Sequence, residues 1–247
     1  MQALYHDHWI GRFERLTFAR ASAVVAMTAS AAKDFSDRFE LPSLRLIHGW
    51  VDMDMFKPME RCAAPTDGVR VLIVGNSSKR KGEDLLPALR SKLDRRFSIT
   101  VVGGLRADWQ ESCPGVTFKS GLSQTELVQE YQQADLVVSL SRYEGFGYAV
   151  LEAMACARPV VAFDVTGIRD VVVPNKTGFL VAPEDVDSIA DMCDKIGCDP
   201  RLADEVGRAG RDRALDYFGE NQAVAKYMEL YDSLMANASR SGHKRIC

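Results

Sequence analysis

Two carboxylates, Glu144 and Glu152, stand eight residues apart on either side of the glycine-broken stretch Gly145-Phe146-Gly147-Tyr148, which runs into small, helix-forming residues from Ala149 to Cys156. A helix that opens on such a turn offers backbone N–H groups and the positive end of its dipole to a phosphate. An acid on each side can accept hydrogen bonds from hydroxyl groups, so the combination suits a sugar nucleotide. Spacing alone is weak, because chance supplies a pair of Glu at this separation in a chain of this length. A second cluster strengthens it. The loop Gly75-Asn76-Ser77-Ser78-Lys79-Arg80-Lys81-Gly82 lets backbone approach a ligand closely at its glycines. Arg80 adds a bidentate fork and Lys81 a point charge, a fitting pair for a diphosphate. Were a nucleoside diphosphate to leave, these cations would stabilise its developing charge without a metal ion. Glu152 is the candidate acceptor for a ribose diol, and it gains about 0.3–1 kcal/mol from the helix dipole. Glu144 is the candidate acceptor from sugar hydroxyls, or a stabiliser of an oxocarbenium-like centre.

The elements around these residues read as βαβ units. Strands are expected near 69–75, 97–102, 115–119, 135–140, 159–163 and 178–181, where β-branched apolar runs are short and bounded by breaks. Helices are expected near 82–93, 123–133, 147–156, 167–173 and 185–196, with Ser123 and Glu126 forming a capping box. The alternation predicts an α/β fold, a doubly wound Rossmann-like parallel sheet whose ligand sits at the carboxyl ends of strands. Residues 200–237 read as helical throughout, with Val224, Tyr227, Met228, Tyr231 and Leu234 on one apolar stripe. Ahead of the sheet, a helix, a strand, a helix capped by Ser30 and a second strand make a partial α/β piece. The division expected is 1–57, 58–218 for the sheet domain, and 219–247 for a crossover helix and tail.

Composition excludes several classes. The net charge of −3, with no long basic stripe, argues against nucleic acid as a partner. No apolar run approaches the ~20 residues of a membrane span, and the N-terminus lacks a signal-peptide core. A cytoplasmic location follows, with peripheral attachment at the inner membrane face left open. Six cysteines, Cys62, Cys113, Cys156, Cys193, Cys198 and Cys247, lack zinc-ligand spacing and read as packing thiols. A dinucleotide fingerprint needs GxGxxG after the first sheet strand, where this chain has GNSSKRKG. A Walker phosphate loop is also missing.

Four stretches in order, VDMDMFKP, VRVLIVGNSSKRKGEDLL, VTFKSGLSQTELVQEYQQADLVVSLSRYEGFGYAVLEAMACARPVVAFD and TGIRDVVVPNKTGFLVAPEDVDSIA, resemble the retaining glycosyltransferases of family 4, which have the two-domain glycosyltransferase-B fold. The resemblance implies a C-terminal domain that binds a nucleotide-sugar donor. Arg80 and Lys81 would lie on the diphosphate, with Glu144 on the donor hexose and Glu152 on the ribose. Gly75 and the backbone of Gly145, Phe146, Gly147 and Tyr148 would meet donor sugar and phosphate, and Phe118 to Gly121 would lie near the base. It also implies hexosyl transfer to a glycan, lipid-linked or polysaccharide acceptor, with retention of configuration and with neither cofactor nor metal.

The sequence departs from the family in three places. Gly49-Trp50-Val51-Asp52 replaces the usual Asn-Gly-Val-Asp, and Arg169 stands where Glu is frequent. The piece up to about Phe56 resembles only the end of the acceptor domain, and His6 and His8 read as incidental, with a remnant of an acceptor-side loop as the alternative. The terminal helix is therefore expected to be partly uncovered, favouring self-association or a separate acceptor-domain protein. Two rival readings remain at this point: a non-catalytic donor-binding subunit, and a sugar-nucleotide epimerase of the same architecture.

Overall fold

A computed structural model of the chain describes residues 8–41, 43–59, 68–75, 78–103 and 113–242. It divides into two units, Trp50–Glu220 and Met1–Gly49 with Asn221–Cys247. The expectations placed on Asn76, Ser77 and His6 lie outside the described residues.

The smaller unit holds helix α1 (His8–Arg20), strand β1 (Val24–Ala26), helix α2 (Ala29–Arg38), strand β2 (Leu44–Leu46) and most of the last helix, α9 (Glu220–Gly242). β1 and β2 pair in parallel, Val24 opposite Leu44. Phe18, Phe35 and Phe39 bring α1 and α2 together, with ring centroids 4.9–6.0 Å apart. α2 is capped by Thr28 and not by Ser30. Thr28 has the extended backbone a cap requires, and its Oγ1 accepts from the Ala31 N–H at 3.1 Å, while Ser30 already lies inside the helix.

The expected stripe on α9 is also corrected. Ala223, Tyr227, Leu230 and Leu234 pack with Ala23, Val25 and Ile47. Val224, Met228 and Tyr231 are 46%, 54% and 53% exposed, as is Met235 at 69%. Apolar residues occupy more than half the circumference of this helix, so periodicity could not tell the packed face from the open one.

The larger unit is built on β3 (Val69–Val74), β4 (Phe97–Val102), β5 (Val116–Lys119), β6 (Leu136–Ser139), β7 (Val160–Phe163) and β8 (Phe179–Val181). All pair in parallel, in the order β5-β4-β3-β6-β7-β8. β6 and β7 are buried along nearly their whole length, as their unbroken apolar sequence requires of strands covered on both faces. The chain winds outward from β3 to β5, then crosses back to place β6 on the other side of β3. The winding reverses between β3 and β6, and their carboxyl ends form the crevice where such sheets take ligands.

The helices of this unit are α3 (Leu86–Lys92), α4 (Gln124–Gln133), α5 (Tyr148–Ala155), α6 (Ile168–Val171), α7 (Val186–Cys198) and α8 (Pro200–Tyr217). The capping box at α4 is present in both directions, Ser123 to the Glu126 N–H and Glu126 to the Ser123 N–H. The helix expected from residue 82 begins instead as two single 3₁₀ turns, Lys79–Lys81 and Glu83–Leu85, separated by Gly82.

The single helix expected over 200–237 is broken at Phe218 and Gly219. There the ring of Phe218 is buried against Phe146 at 5.8 Å, and the Phe218 carbonyl accepts from the Val51 N–H at 3.1 Å. Core burial and a strand-like bridge replace two residues' worth of helix. Arg211 of α8 donates to the carbonyls of Met53, Phe56 and Ala155, fixing the segment after Trp50 on this unit.

α8 comes close to the end of α5 because of Gly207. A Cβ there would lie 2.3 Å from the Ala157 carbonyl oxygen, a backbone atom that cannot move aside cheaply. Alanine would gain about 1 kcal/mol of helix propensity over glycine, but overpacking of this kind costs about 1–3 kcal/mol. Gly207→Ala is therefore expected to lower the denaturation midpoint in urea, and a raised midpoint would refute the close packing described.

Candidate functional site

β6 ends at Ser139, and the chain continues through the buried residues Leu140 and Ser141 into the turn that carries Glu144. Glu144 is only 9% exposed. Its Oε1 accepts from Ser141 Oγ at 2.8 Å and from Lys81 Nζ at 2.5 Å, while Arg80 Nη1 stands 3.8 Å from Oε2. Arg80 also donates to the Tyr143 carbonyl at 3.1 Å. Burying a carboxylate is costly unless it is paired and hydrogen-bonded, and these contacts meet both conditions.

Glycines make the arrangement possible. Gly82 has φ 74°, and a Cβ on it would lie 2.1 Å from the Leu140 carbonyl oxygen. Only glycine lets the cationic 3₁₀ turn close against the end of β6. At Gly167, with φ 88°, a Cβ would come within 2.5 Å of the Glu144 carbonyl oxygen. The turn holding Glu144 is thus pressed between two glycine-bearing segments.

Gly147 adopts the left-handed conformation at φ 94° and caps α5, and its carbonyl accepts from Val150 and Leu151. The N–H groups of the first turn point outward from the helix start, as they do in any α-helix. The Phe146 side chain is buried against Tyr148 and Phe218, so only its backbone faces the turn. Tyr148 is 44% exposed, and a Cβ at Gly145 would meet nothing within 4 Å.

Glu152 lies one turn further along α5. Its Oε2 accepts from the hydroxyl of Tyr131, a residue of α4 with no exposed surface, at 2.7 Å. Burial raises the Glu152 pKa above the ordinary carboxylate value, opposed by the Tyr131 hydrogen bond and by the charge of Lys81. Burial thus outweighs both of these favourable influences. Lys81 thereby serves two carboxylates, Glu144 by direct contact and Glu152 through space. The structure brings Arg80 and Lys81 to Glu144 at the crevice between β3 and β6, with Glu152 near enough to feel the Lys81 charge and Gly147 opening the helix that carries Glu152. Gly75 joins them: Gly75, Lys81, Gly82, Phe118, Ser139 and Ser141 share one pocket at the strands' carboxyl ends.

Several residues that hold the site gave no usable signal. Arg142 donates to Asp84 at 2.6 Å and 3.0 Å, to both oxygens of Glu184, and to the Lys79 carbonyl at 2.6 Å. The Arg142 hydrogen bonds hold the Asp84 and Glu184 carboxyls below their ordinary values. This fork locks the cationic turn, the β6–α5 loop and the segment before α7 to one another. Its partners lie 58 and 42 residues away, and Tyr131 lies 21 from Glu152. Ser78, which accepts from the Lys81 N–H at 3.3 Å, was the one helper with a local signal, since a Ser ahead of a turn is a common cap. Arg169 is exposed and paired with Asp164 at 2.6 Å. Among the described residues no three His, Cys, Asp or Glu side chains are grouped so as to hold a metal ion.

Comparison with known proteins agrees with this architecture. The family described as glycosyl transferases group 1 matches residues 57–213, more than half of the chain. D-inositol 3-phosphate glycosyltransferase of Xylanimonas cellulosilytica is 29% identical over 88% of this chain, which spans 58% of that relative's length. The solved sucrose-phosphate synthase of Thermosynechococcus elongatus superposes with a TM-score of 0.85 and 27% identity, over 96% of this chain and 64% of its own. Anabaena HepE in complex with UDP-glucose shares the fold, with a TM-score of 0.81 and 19% identity over 94% of this chain and 69% of its own. The chain belongs to the group 1 glycosyl transferase family, and its fold is that of the glycosyltransferase-B enzymes.

Proposed function

We propose that the larger unit binds a nucleotide-sugar donor, and that the protein transfers its hexosyl group with retention, as a family 4 enzyme, to a glycan, lipid-linked or polysaccharide acceptor. The observation that carries this reading is the meeting of Lys81 and Arg80 with Glu144, three residues before the Gly147 that opens α5, at the reversal point of the sheet. The ammonium of Lys81 has three N–H donors, and Glu144 takes one of them. The others, with the Arg80 fork, can meet a diphosphate seated at the helix start.

The work asked of these groups is electrostatic. As the bond between anomeric carbon and diphosphate oxygen lengthens, negative charge grows on the leaving group and positive charge on the sugar. Lys81, Arg80 and the α5 N–H groups stabilise the first; the Glu144 carboxylate stabilises the second and orients sugar hydroxyls. Glu152 accepts from the ribose. A protein cation at the diphosphate takes the part a metal would otherwise play, so we expect activity without one. UDP-glucose is the first donor to test, because the Anabaena neighbour is described in complex with it. Among the described residues no helix is long and apolar enough to cross a membrane, and the acceptor would reach the site from an aqueous or interfacial phase.

Calorimetric titration with UDP-, GDP- and ADP-glucose is expected to reveal one base that binds in the micromolar range. Lys81→Ala and Glu152→Ala should each weaken it about 10- to 100-fold, as for hydrogen bonds to charged groups. Unchanged affinity in both variants would sink the donor-site reading. For transfer, NMR of the product formed from an α-linked donor should show an α-linkage. A β-linked product would rule out retention, and a changed sugar still attached to its nucleotide would identify an epimerase.

A further inference from the structure

Tyr131 is a buried titratable group that the donor-site reading leaves without a role. Its ring has no exposed surface and packs edge-on against Phe56, with centroids 6.0 Å apart. The neighbouring Gln132 donates to the Lys57 carbonyl at 2.9 Å, which fixes α4 against the same segment. So held, the hydroxyl reaches two acceptors, Glu152 Oε2 at 2.7 Å and the Ala149 carbonyl at 3.2 Å. A phenol carries one proton, and the shorter contact to the charged acceptor takes most of it. Burial pushes the phenol well above its ordinary value, so it remains a donor throughout the working pH range.

From this geometry we infer that Tyr131 is a positioning residue for Glu152. It anchors Oε2, fixes the plane of the carboxylate and helps to keep it ionised, leaving Oε1 as the acceptor for a vicinal diol. Oε1 accepts no hydrogen bond from the described residues. The inference rests on the donor-site reading for the identity of the diol, but not for the state of the carboxylate.

The groups facing Glu152 set the direction of the effect. Tyr131 from α4 and Lys81 from the cationic turn favour its charged form, and burial opposes them. Cys156, one turn along α5, is itself pushed up to about 12 by burial and stays neutral, with Arg158 and Arg211 acting on it. Removing the phenol hydroxyl takes away one of the two favourable influences. The Glu152 pKa therefore rises further, and the charged acceptor is lost at a higher pH as pH falls.

Tyr131→Phe keeps the ring and its packing while deleting only the hydroxyl. The carboxyl titration of Glu152 is followed by NMR in protein carrying ¹³C-labelled Glu, with Glu152→Gln to assign the signal. In the unliganded Tyr131→Phe variant the midpoint should move upward; an unmoved midpoint overturns the inference whatever the protein binds. In parallel, UDP and UDP with a 2′,3′-dideoxyribose are titrated at pH 6 and pH 8. UDP affinity should fall, and by more at the lower pH than at the higher, with the dideoxy compound indifferent to the substitution. An equal loss for both compounds at both pH values indicates a merely structural residue and also overturns the inference. Failure of the wild-type protein to bind UDP counts against a uridine donor, and the carboxyl titration still decides the role of Tyr131.

Discussion

The ion pair between Lys81 and Glu144 is the contact on which the site's geometry turns. Each partner comes from a different side of the sheet's reversal point, Lys81 after β3 and Glu144 after β6. Their side chains are 18% and 11% exposed, so neither can rely on bulk water for solvation. A largely buried pair of this kind adds little net stability, because desolvation consumes most of the attraction. Loss of one partner, however, leaves a buried charge and costs about 3–5 kcal/mol. The pair thus acts as a requirement on the fold more than as a source of its stability. The close approaches at Gly82 and Gly167 and the Arg142 fork to Asp84 and Glu184 are arranged around that requirement.

Much of the sheet was legible because its strands are covered on both faces. Runs such as Val160–Phe163 have no polar residue to disguise them, and each is bounded by a break. All six strands of the sheet fall where β-branched runs place them, within a residue or so. The capping box at Ser123 was equally readable, since both of its partners lie within one turn. Legibility failed where a decision depends on distant surroundings. Whether a helix continues through Phe218 is settled by a core that buries its ring. Which part of the α9 stripe packs is settled by the strands beside it, and Thr28 wins over Ser30 by its backbone conformation.

The site divides along the same line. Groups that would meet a ligand sit within short stretches rich in glycine, and the types and order of Arg80, Lys81, Glu144 and Glu152 could be read directly. The groups that hold them, Ser141, Arg142 and Tyr131, are ordinary residues; Arg142 and Tyr131 matter through partners far along the chain, and Ser141 through the turn that folds it back on Glu144. Ser141 stood three residues before Glu144 in plain view, but its hydroxyl can serve there only because the turn brings the two within 2.8 Å. No local pattern distinguishes such a Ser from one that faces solvent.

Glu152 shows what this arrangement costs the fold. Its pKa is raised by burial, so the folded chain binds a proton more readily than the unfolded one over the interval between the ordinary carboxylate range and the raised value. As pH climbs through that interval the folded state loses stability, and above it the loss is complete and constant. A carboxylate selected for stability alone would be paired more fully or left in water. Lys81 offsets the penalty only in part, acting on Glu152 through space while its direct contact is to Glu144, and Tyr131 supplies a single hydrogen bond. What remains is an ionised, incompletely satisfied acceptor on a rigid helix. That is an unfavourable group for folding, and it is the group that has most to gain from a ligand hydroxyl.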